Sequence, residues 1–403
     1  MIPTAIFAMW LLGLLSAAVL AGAIYLGHEW QARSWHWDET ARQSFFAPDL
    51  GWNEPTAILL GAAALGLVAV AGGPLLKAIL RLTKRSGDDP RGGLGPSVSE
   101  QRLTRPDGSE LQVRMFGADH APPLVLTHGW GLHSEEWVYA VRELARDFRI
   151  IVWDEPGLGA STRPRNRDYS LEKFARDLDA ILTLVGPRPA ILAGHSIGGM
   201  IILTWCRLFP QAVGTRITGL VLTNTTYTNP VRTTSGAAIF TAIEKPVLIP
   251  LLYLTIALSP LVWLMNWLSY RNGTAHLMNM RTSFAGTETW EQIDFSARFQ
   301  IQASPAVLAR GMLGMIRYDA TATLKTIAAP VLVVAGDKDT TCKPEASERM
   351  TRDIPRARQV TLAPARHLGL IEHHARYATA VREFAERTAA GRADVALPPA
   401  AVS

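Results

Sequence analysis

Residues 190–200, AILAGHSIGGM, end a short apolar run in Gly194-His195-Ser196-Ile197-Gly198 and continue into a segment of helical character. A serine becomes a nucleophile for acyl transfer when a sharp strand-to-helix turn holds its hydroxyl clear of the backbone, and small residues two before and two after relieve the crowding at that turn. Gly194 and Gly198 occupy those places, so Ser196 is the candidate nucleophile. Taken alone the pattern also fits a Gly/Ser-rich loop, and its surroundings must decide. Upstream, residues 122–127, PPLVLT, read as a buried strand that runs into His128-Gly129-Trp130-Gly131, with a helical pattern following over 135–148. A glycine-bearing turn at this place can aim backbone N–H groups at a developing oxyanion. That role falls to the amides of Trp130 and of Ile197, the residue after the serine.

A further apolar strand, residues 149–153, ends in Asp154-Glu155-Pro156-Gly157-Leu158-Gly159-Ala160-Ser161. With these three segments in order, the chain resembles the α/β-hydrolase superfamily, whose members carry an HGxG turn, a DxPGxGxS loop and a GHSxGG elbow at about this spacing. The resemblance is to the serine esterases and monoacylglycerol lipases and covers about residues 124–384. It implies an α/β fold: a mostly parallel sheet with helices on both faces and a helical cap inserted late in the chain. It also implies where the partners of Ser196 lie, the acid after a late strand and the histidine last. Residues 330–335, PVLVVA, form such a strand and lead into Gly336-Asp337-Lys338-Asp339. The family's GxxD pattern selects Asp339, with Asp337 the alternative. Residues 359–363 read as the final strand, and His367 follows in Ala365-Arg366-His367-Leu368-Gly369, with Arg366 where a glycine is frequent.

In the chemistry these roles imply, His367 takes the Ser196 proton as the oxygen attacks a carbonyl, while Asp339 fixes the imidazole tautomer. No metal and no organic cofactor is called for. A serine at the elbow stands against the superfamily's epoxide hydrolases and haloalkane dehalogenases, which would carry Asp there. His128, Gly129, Gly194, His195 and Gly198 support the motifs, the two histidines as packing and hydrogen-bonding residues. His373 and His374 fall in the next helical pattern and read as a solvated face.

The elements that must carry this site begin with two uncharged stretches. Residues 5–26 would span about 33 Å as a helix at ~1.5 Å per residue, enough for a hydrocarbon core of about 30 Å. A signal peptide is the competing reading, but no Lys or Arg precedes the run. Residues 57–76, extending toward 82, form the second. Together they predict a membrane hairpin over 1–85. Acidic Glu29, Asp38, Glu39, Asp49 and Glu54 outnumber Arg33 and Arg42 between the helices, whereas Lys77, Arg81, Lys84, Arg85 and Arg91 gather after the second. This bias predicts a cytoplasmic catalytic domain on a bacterial-type inner or plasma membrane, the basic cluster near anionic lipid, and a Trp30, Trp35, Trp37 loop at the outer interface.

Residues 86–99 read as a linker, 100–387 as the catalytic domain with a cap at about 229–324, and 388–403 as a disordered tail. A third apolar stretch, 246–268, passes as a membrane span by hydropathy, yet a crossing there would put Ser196 and His367 on opposite sides. Pro250 and Pro260 also break a straight helix. Two readings stand: an ordinary hydrophobic cap, or a lid lying in the membrane interface. Net charge is +5, but no lysine-rich tract or nucleic-acid motif accompanies it, so no nucleic-acid partner is expected. Only Cys206 and Cys342 occur, which builds no disulfide framework. The expectation is a membrane-anchored hydrolase of a hydrophobic acyl ester, with the bilayer as its other partner. Acyl transfer or cofactor-free perhydrolysis on the same residues, a non-catalytic tethered binding protein, and a two-helix membrane module remain the alternatives.

Overall fold

The computed structural model describes residues 2–389. Its centre is an eight-stranded sheet, and a two-stranded hairpin lies apart from it. The hairpin comes first in the chain, β1 (Trp35–Asp38) and β2 (Gln43–Phe46). The sheet strands are β3 (Ser99–Thr104), β4 (Glu110–Phe116), β5 (Pro123–Thr127), β6 (Arg149–Trp153), β7 (Ala190–His195), β8 (Ile217–Thr223), β9 (Val331–Gly336) and β10 (Ala357–Leu362). Their spatial order is β10-β9-β8-β7-β5-β6-β4-β3, parallel except where β4 meets β3 and β6. The central strands are rich in β-branched and aliphatic residues because both faces are covered. Leu124, Leu126, Ile191, Ala193, Leu332 and Val334 point into one core, beneath helices Val138–Leu144 and His374–Ala389. Val125, Leu192, Leu220, Leu222, Val331 and Val333 point into the other, beneath Leu171–Ile181 and Ile197–Leu208. The alternation is the period-two geometry of a strand.

The chain between β8 and β9 forms the helical cap, whose main helices include Ala237–Ile243, Ile249–Ala257, Ser259–Arg271, Thr274–Ser283, Trp290–Gln302 and Pro305–Ile316. The apolar stretch at 246–268 is split at Leu258, and Pro250 and Pro260 sit in the first turns of the helices they open, where a missing N–H costs nothing. With a π turn at Glu244–Leu248, residues Ala237–Ala257 make one of three helices, among the described residues, long and apolar enough to cross a membrane. Leu248, Leu252 and Thr255 are nevertheless buried in the protein.

The other two such helices are Ile2–Arg33 and Glu54–Thr83, both longer than the apolar runs that announce them. Asn53 caps the second, its side chain accepting from the Thr56 amide at 3.0 Å. They pack side by side, Gly22 against Leu65 and Leu26 against Gly61. The expected tryptophan loop is an ordered β1–β2 ladder with Trp35 and Trp37 exposed, and Trp30 belongs to the first helix, edge-on to Phe46.

The helix pair does not stand apart from the cap. Cap helix Ser259–Arg271 and the turn after it press against both membrane helices, Met265 against Gly13, and the backbone of Arg271 and Asn272 against Gly73 and Gly72. A Cβ on Gly73 would lie 2.5 Å from the Arg271 carbonyl oxygen, so only glycine permits this approach. Gly73→Leu is expected to lower stability by about 1–3 kcal/mol, read as an earlier thermal transition of the detergent-solubilised protein.

The basic cluster is spent on the same junction. Lys77 pairs with Asp294 at 2.6 Å and Lys84 with Glu288 at 2.7 Å, while the Arg81 and Arg91 guanidinium groups lie over the Trp290 ring. These four residues hold the cap, so the expected lipid contact does not account for them. The segment read as a linker is likewise fastened, Tyr139 and Arg142 donating to the carbonyls of Asp88 and Asp89, and its last residue, Ser99, begins β3. The final helix runs to Ala389, two residues into the expected tail, and residues 390–403 lie outside the described residues.

Candidate active site

Ser196 sits between β7 and helix Ile197–Leu208 with φ 55° and ψ −117°, a strained conformation for a residue with a side chain. The turn closes because its flanks are glycines: a Cβ on Gly194 would collide with the Gly198 backbone, and one on Gly198 with the Thr127 carbonyl. The Ser196 amide donates to the Thr223 carbonyl at 2.9 Å, which ties the turn to β8. The Ile197 amide opens the helix, where an N–H has no intrahelical acceptor and the helix dipole favours negative charge.

His367 reaches this turn from the loop after β10. Its Nε2 is 3.0 Å from the Ser196 Oγ and its Nδ1 2.8 Å from the Asp339 Oδ2. With the carboxylate as acceptor, Nδ1 carries the proton and Nε2 is left to accept from the serine hydroxyl. The other Asp339 oxygen accepts the Thr341 and Cys342 amides at 2.7 and 3.1 Å, so the carboxylate is held on both sides. Burial pushes the His367 ring below the usual imidazole range and outweighs the opposing pull of Asp339. The imidazole is thus neutral and able to take a proton near pH 7. Asp337 points elsewhere, accepting the Ala365 amide at 2.7 Å and bracing the loop that carries His367.

The HGWG turn follows β5. The Leu132 amide donates to the Gly129 carbonyl at 3.1 Å, with Gly131 at φ 82° as this turn requires. His128 staples it to the loop after β6: one ring nitrogen faces the Gly129 carbonyl at 2.9 Å and the other accepts the Glu155 amide at 2.9 Å. Asp154 accepts the Ser134 and Ala160 amides, which keeps that loop folded beneath the turn. The Trp130 indole donates to the Leu308 carbonyl of the cap at 3.0 Å, and Trp130 lines the cavity that exposes Ser196.

Two positioning residues carry no motif and were not singled out from sequence. Glu136 is fully buried, ion-paired with His195 through one oxygen and accepting the Gly129 amide at 2.8 Å through the other. His195 in turn donates toward the His367 carbonyl at 3.0 Å. Burial alone would lower the His195 ring, but the Glu136 carboxylate overrides it and holds the ring above its usual value. One ion pair therefore spans the HGWG turn, the elbow and the histidine loop. Glu136→Ala is expected to destabilise the protein by about 3 kcal/mol in urea unfolding, because it strips a buried pair of one member. Asn224, in the left-handed region at φ 43°, donates to the His367 and Arg366 carbonyls at 2.8 and 3.1 Å and accepts the Gly336 amide at 2.7 Å. Its only sequence signal is a polar residue directly after an apolar strand.

Ser196 and His367 face a cavity of about 470 Å³. Trp130, Leu132, Phe299, Leu308 and Met312 form much of its wall, and Asn266, Asn279 and Gln300 add uncharged polar groups. Among the described residues lining it, none is Lys, Arg, Asp or Glu. His373 and His374 are absent from it and half-buried: His373 faces the Pro364 carbonyl at 2.7 Å, and His374 stacks on Tyr139 and meets Glu143.

Residues 122–374 match the alpha/beta hydrolase fold family, well over half of the chain. The chain belongs to that family. Among the similar proteins of this alpha/beta hydrolase is the pimeloyl-[acyl-carrier protein] methyl ester esterase of Sodalis glossinidius, 39% identical over 98 residues, which are 24% of this chain and 35% of that protein. The putative carbamate hydrolase RutD of Pseudomonas savastanoi pv. phaseolicola is 26% identical over 253 residues, 61% of this chain and 87% of its own. The alpha/beta hydrolase spans about a third of the length of the first curated relatives it matches. A thermophilic esterase from Thermogutta terrifontis superposes with a TM-score of 0.59 at 25% identity, over 72% of this chain and 99% of that one.

Proposed function

We propose that the protein is a membrane-anchored serine hydrolase of hydrophobic carboxylic esters with an uncharged head. The observation that carries the reading is the hydrogen-bonded series Ser196–His367–Asp339 at the floor of a largely apolar cavity that no Lys, Arg, Asp or Glu among the described residues lines. Ser196 Oγ attacks the ester carbonyl as His367 Nε2 takes its proton, and Asp339 steadies the imidazolium. The amides of Trp130 and Ile197 hold the oxyanion. His367 then protonates the departing alcohol, and water activated by the same nitrogen releases the acid and frees Ser196.

The curated relatives support a hydrolase of acyl derivatives, one being named a methyl ester esterase and the other a putative carbamate hydrolase. The uncharged lining supports the choice of head. A phosphate buried here would meet no Lys or Arg, and the His195 ring at the lining is already paired with Glu136, so its burial would cost several kcal/mol. Acidic residues between the two membrane helices and basic ones after the second support a cytoplasmic catalytic domain. A membrane-impermeant fluorophosphonate is therefore expected to label Ser196 in inverted membrane vesicles and not in right-side-out ones. The reverse pattern would move the site to the outer face.

The central experiment labels folded, detergent-solubilised protein with a fluorophosphonate, then compares p-nitrophenyl esters of increasing acyl length, and finally a monoacylglycerol with a lysophosphatidate of the same chain. Ser196 labelling, a preference for medium or long chains and turnover of the uncharged lipid are expected. Absence of labelling in folded protein would overturn the hydrolase reading, and faster turnover of the phosphate lipid would overturn the uncharged head.

A further inference from the structure

We infer that the first membrane helix, Ile2–Arg33, is a substrate-specificity element whose opening turns form the acyl-chain wall above Ser196. The inference rests on the ester-hydrolase reading and deepens it. The cavity that exposes Ser196 and His367 is bounded on one side by Ala5, Phe7, Ala8, Met9, Leu11 and Leu12. Ala5, Ala8, Met9 and Leu12 follow helical spacing, so they form one continuous stripe, and Phe7 and Leu11 extend it. All six side chains are uncharged, and the stripe offers nothing but apolar surface. Such a wall suits an alkyl chain and has no means of holding a polar one.

The neighbouring stripe of the same helix explains why the wall is fixed in place. Ile6 is fully buried in the hydrolase core, and Phe7 reaches round to stack on Phe240 with ring centroids 6.2 Å apart. Trp10 donates through its indole to the Thr255 hydroxyl at 2.9 Å. One turn on, Gly13 admits Met265, and the buried Ser16 hydroxyl lies 3.0 Å from that of Ser269 and accepts from Asn272 at 2.8 Å. Hydropathy alone suffices to insert a helix into a bilayer. Buried hydroxyl and amide contacts of this kind are geometric requirements, since a polar group left unpaired there is costly. They set the rotation of the helix about its axis, and that rotation decides which side chains meet the substrate.

The test uses full-length protein in detergent and two opposed substitutions in the wall. Ala8→Trp should shorten the chain the site accepts, lowering the ratio of kcat/KM for a dodecanoyl over a butanoyl p-nitrophenyl ester by about tenfold or more, whereas Leu12→Ala should raise the corresponding hexadecanoyl ratio. Leu14→Trp, on an exposed part of the helix outside the cavity, should leave the ratios within about twofold of wild type. Fluorophosphonate labelling of each variant reports whether the site has assembled. Labelled wall variants with wild-type ratios would overturn the inference and leave the hydrolase reading standing. An unlabelled wild-type Ser196 would overturn the hydrolase reading, and this inference with it. A shift of the same size in Leu14→Trp would also overturn it, because the effect would then come from the helix in general and not from its cavity stripe.

Discussion

Ser196→Ala is expected to abolish fluorophosphonate labelling and to reduce ester turnover by about 10⁴-fold or more, measured as single-turnover rates on a p-nitrophenyl ester in detergent. Such a loss corresponds to about 5 kcal/mol of transition-state stabilisation, at 1.36 kcal/mol per factor of ten. It should come without loss of the fold. Alanine adds nothing at the turn, the bond from the residue-196 amide to Thr223 is retained, and Gly194 and Gly198, which let the turn close, are unchanged. The residual activity should stay above that of water, because the Trp130 and Ile197 amides remain in place. A variant that kept most of its activity would remove the serine from the mechanism.

Asp339→Asn is expected to lower kcat by about 10⁴-fold, and its pH profile separates a positioning effect from collapse of the site. An amide in place of the carboxylate can present its NH2 to His367 Nδ1, which turns the ring to the tautomer that cannot accept from Ser196. In the wild type, kcat/KM falls as pH drops through the His367 pKa, because only the neutral ring is a base. Burial holds that pKa below 6.5, so activity should persist to more acid pH than a free imidazole would allow. Asp339 opposes the shift by favouring the protonated ring. Removing its charge should therefore move the acid limb lower still, while the plateau drops. A limb that moved toward neutral pH would show that Asp339 does not act on His367 in this way.

The fold family was legible because its signals are local. Apolar runs of five to seven residues, each followed by a glycine turn, spelled out the central strands and the elbow within a few residues of each other. Asp339 and His367 were legible only through the order in which such chains place them, since nothing near either residue points to Ser196. The structure brings all three together. Glu136 and Asn224 escaped notice for a physical reason: their partners are distant in sequence, and a buried carboxylate or amide looks like any other polar residue until its partners are known. The protein partners of the basic cluster after the second helix were illegible for the same reason. Lys77, Arg81, Lys84 and Arg91 carry the composition of a lipid-facing patch, but Asp294, Glu288 and Trp290, some two hundred residues later, claim them. The membrane helices were found by hydropathy, which records length and polarity and is blind to the glycines that let the cap approach.

Gly13, Gly72 and Gly73 let Ser259–Arg271 and the turn after it come to rest against both membrane helices. A transplanted helix pair of equal length and hydropathy would be equally apt to enter a bilayer. With ordinary side chains at these three places it would hold the cap off by the thickness of a methyl group or more, and the chimaera would be tethered but misassembled. In this chain, then, the long apolar helices and the hydrolase domain are not interchangeable parts. They have to be inherited, or engineered, together.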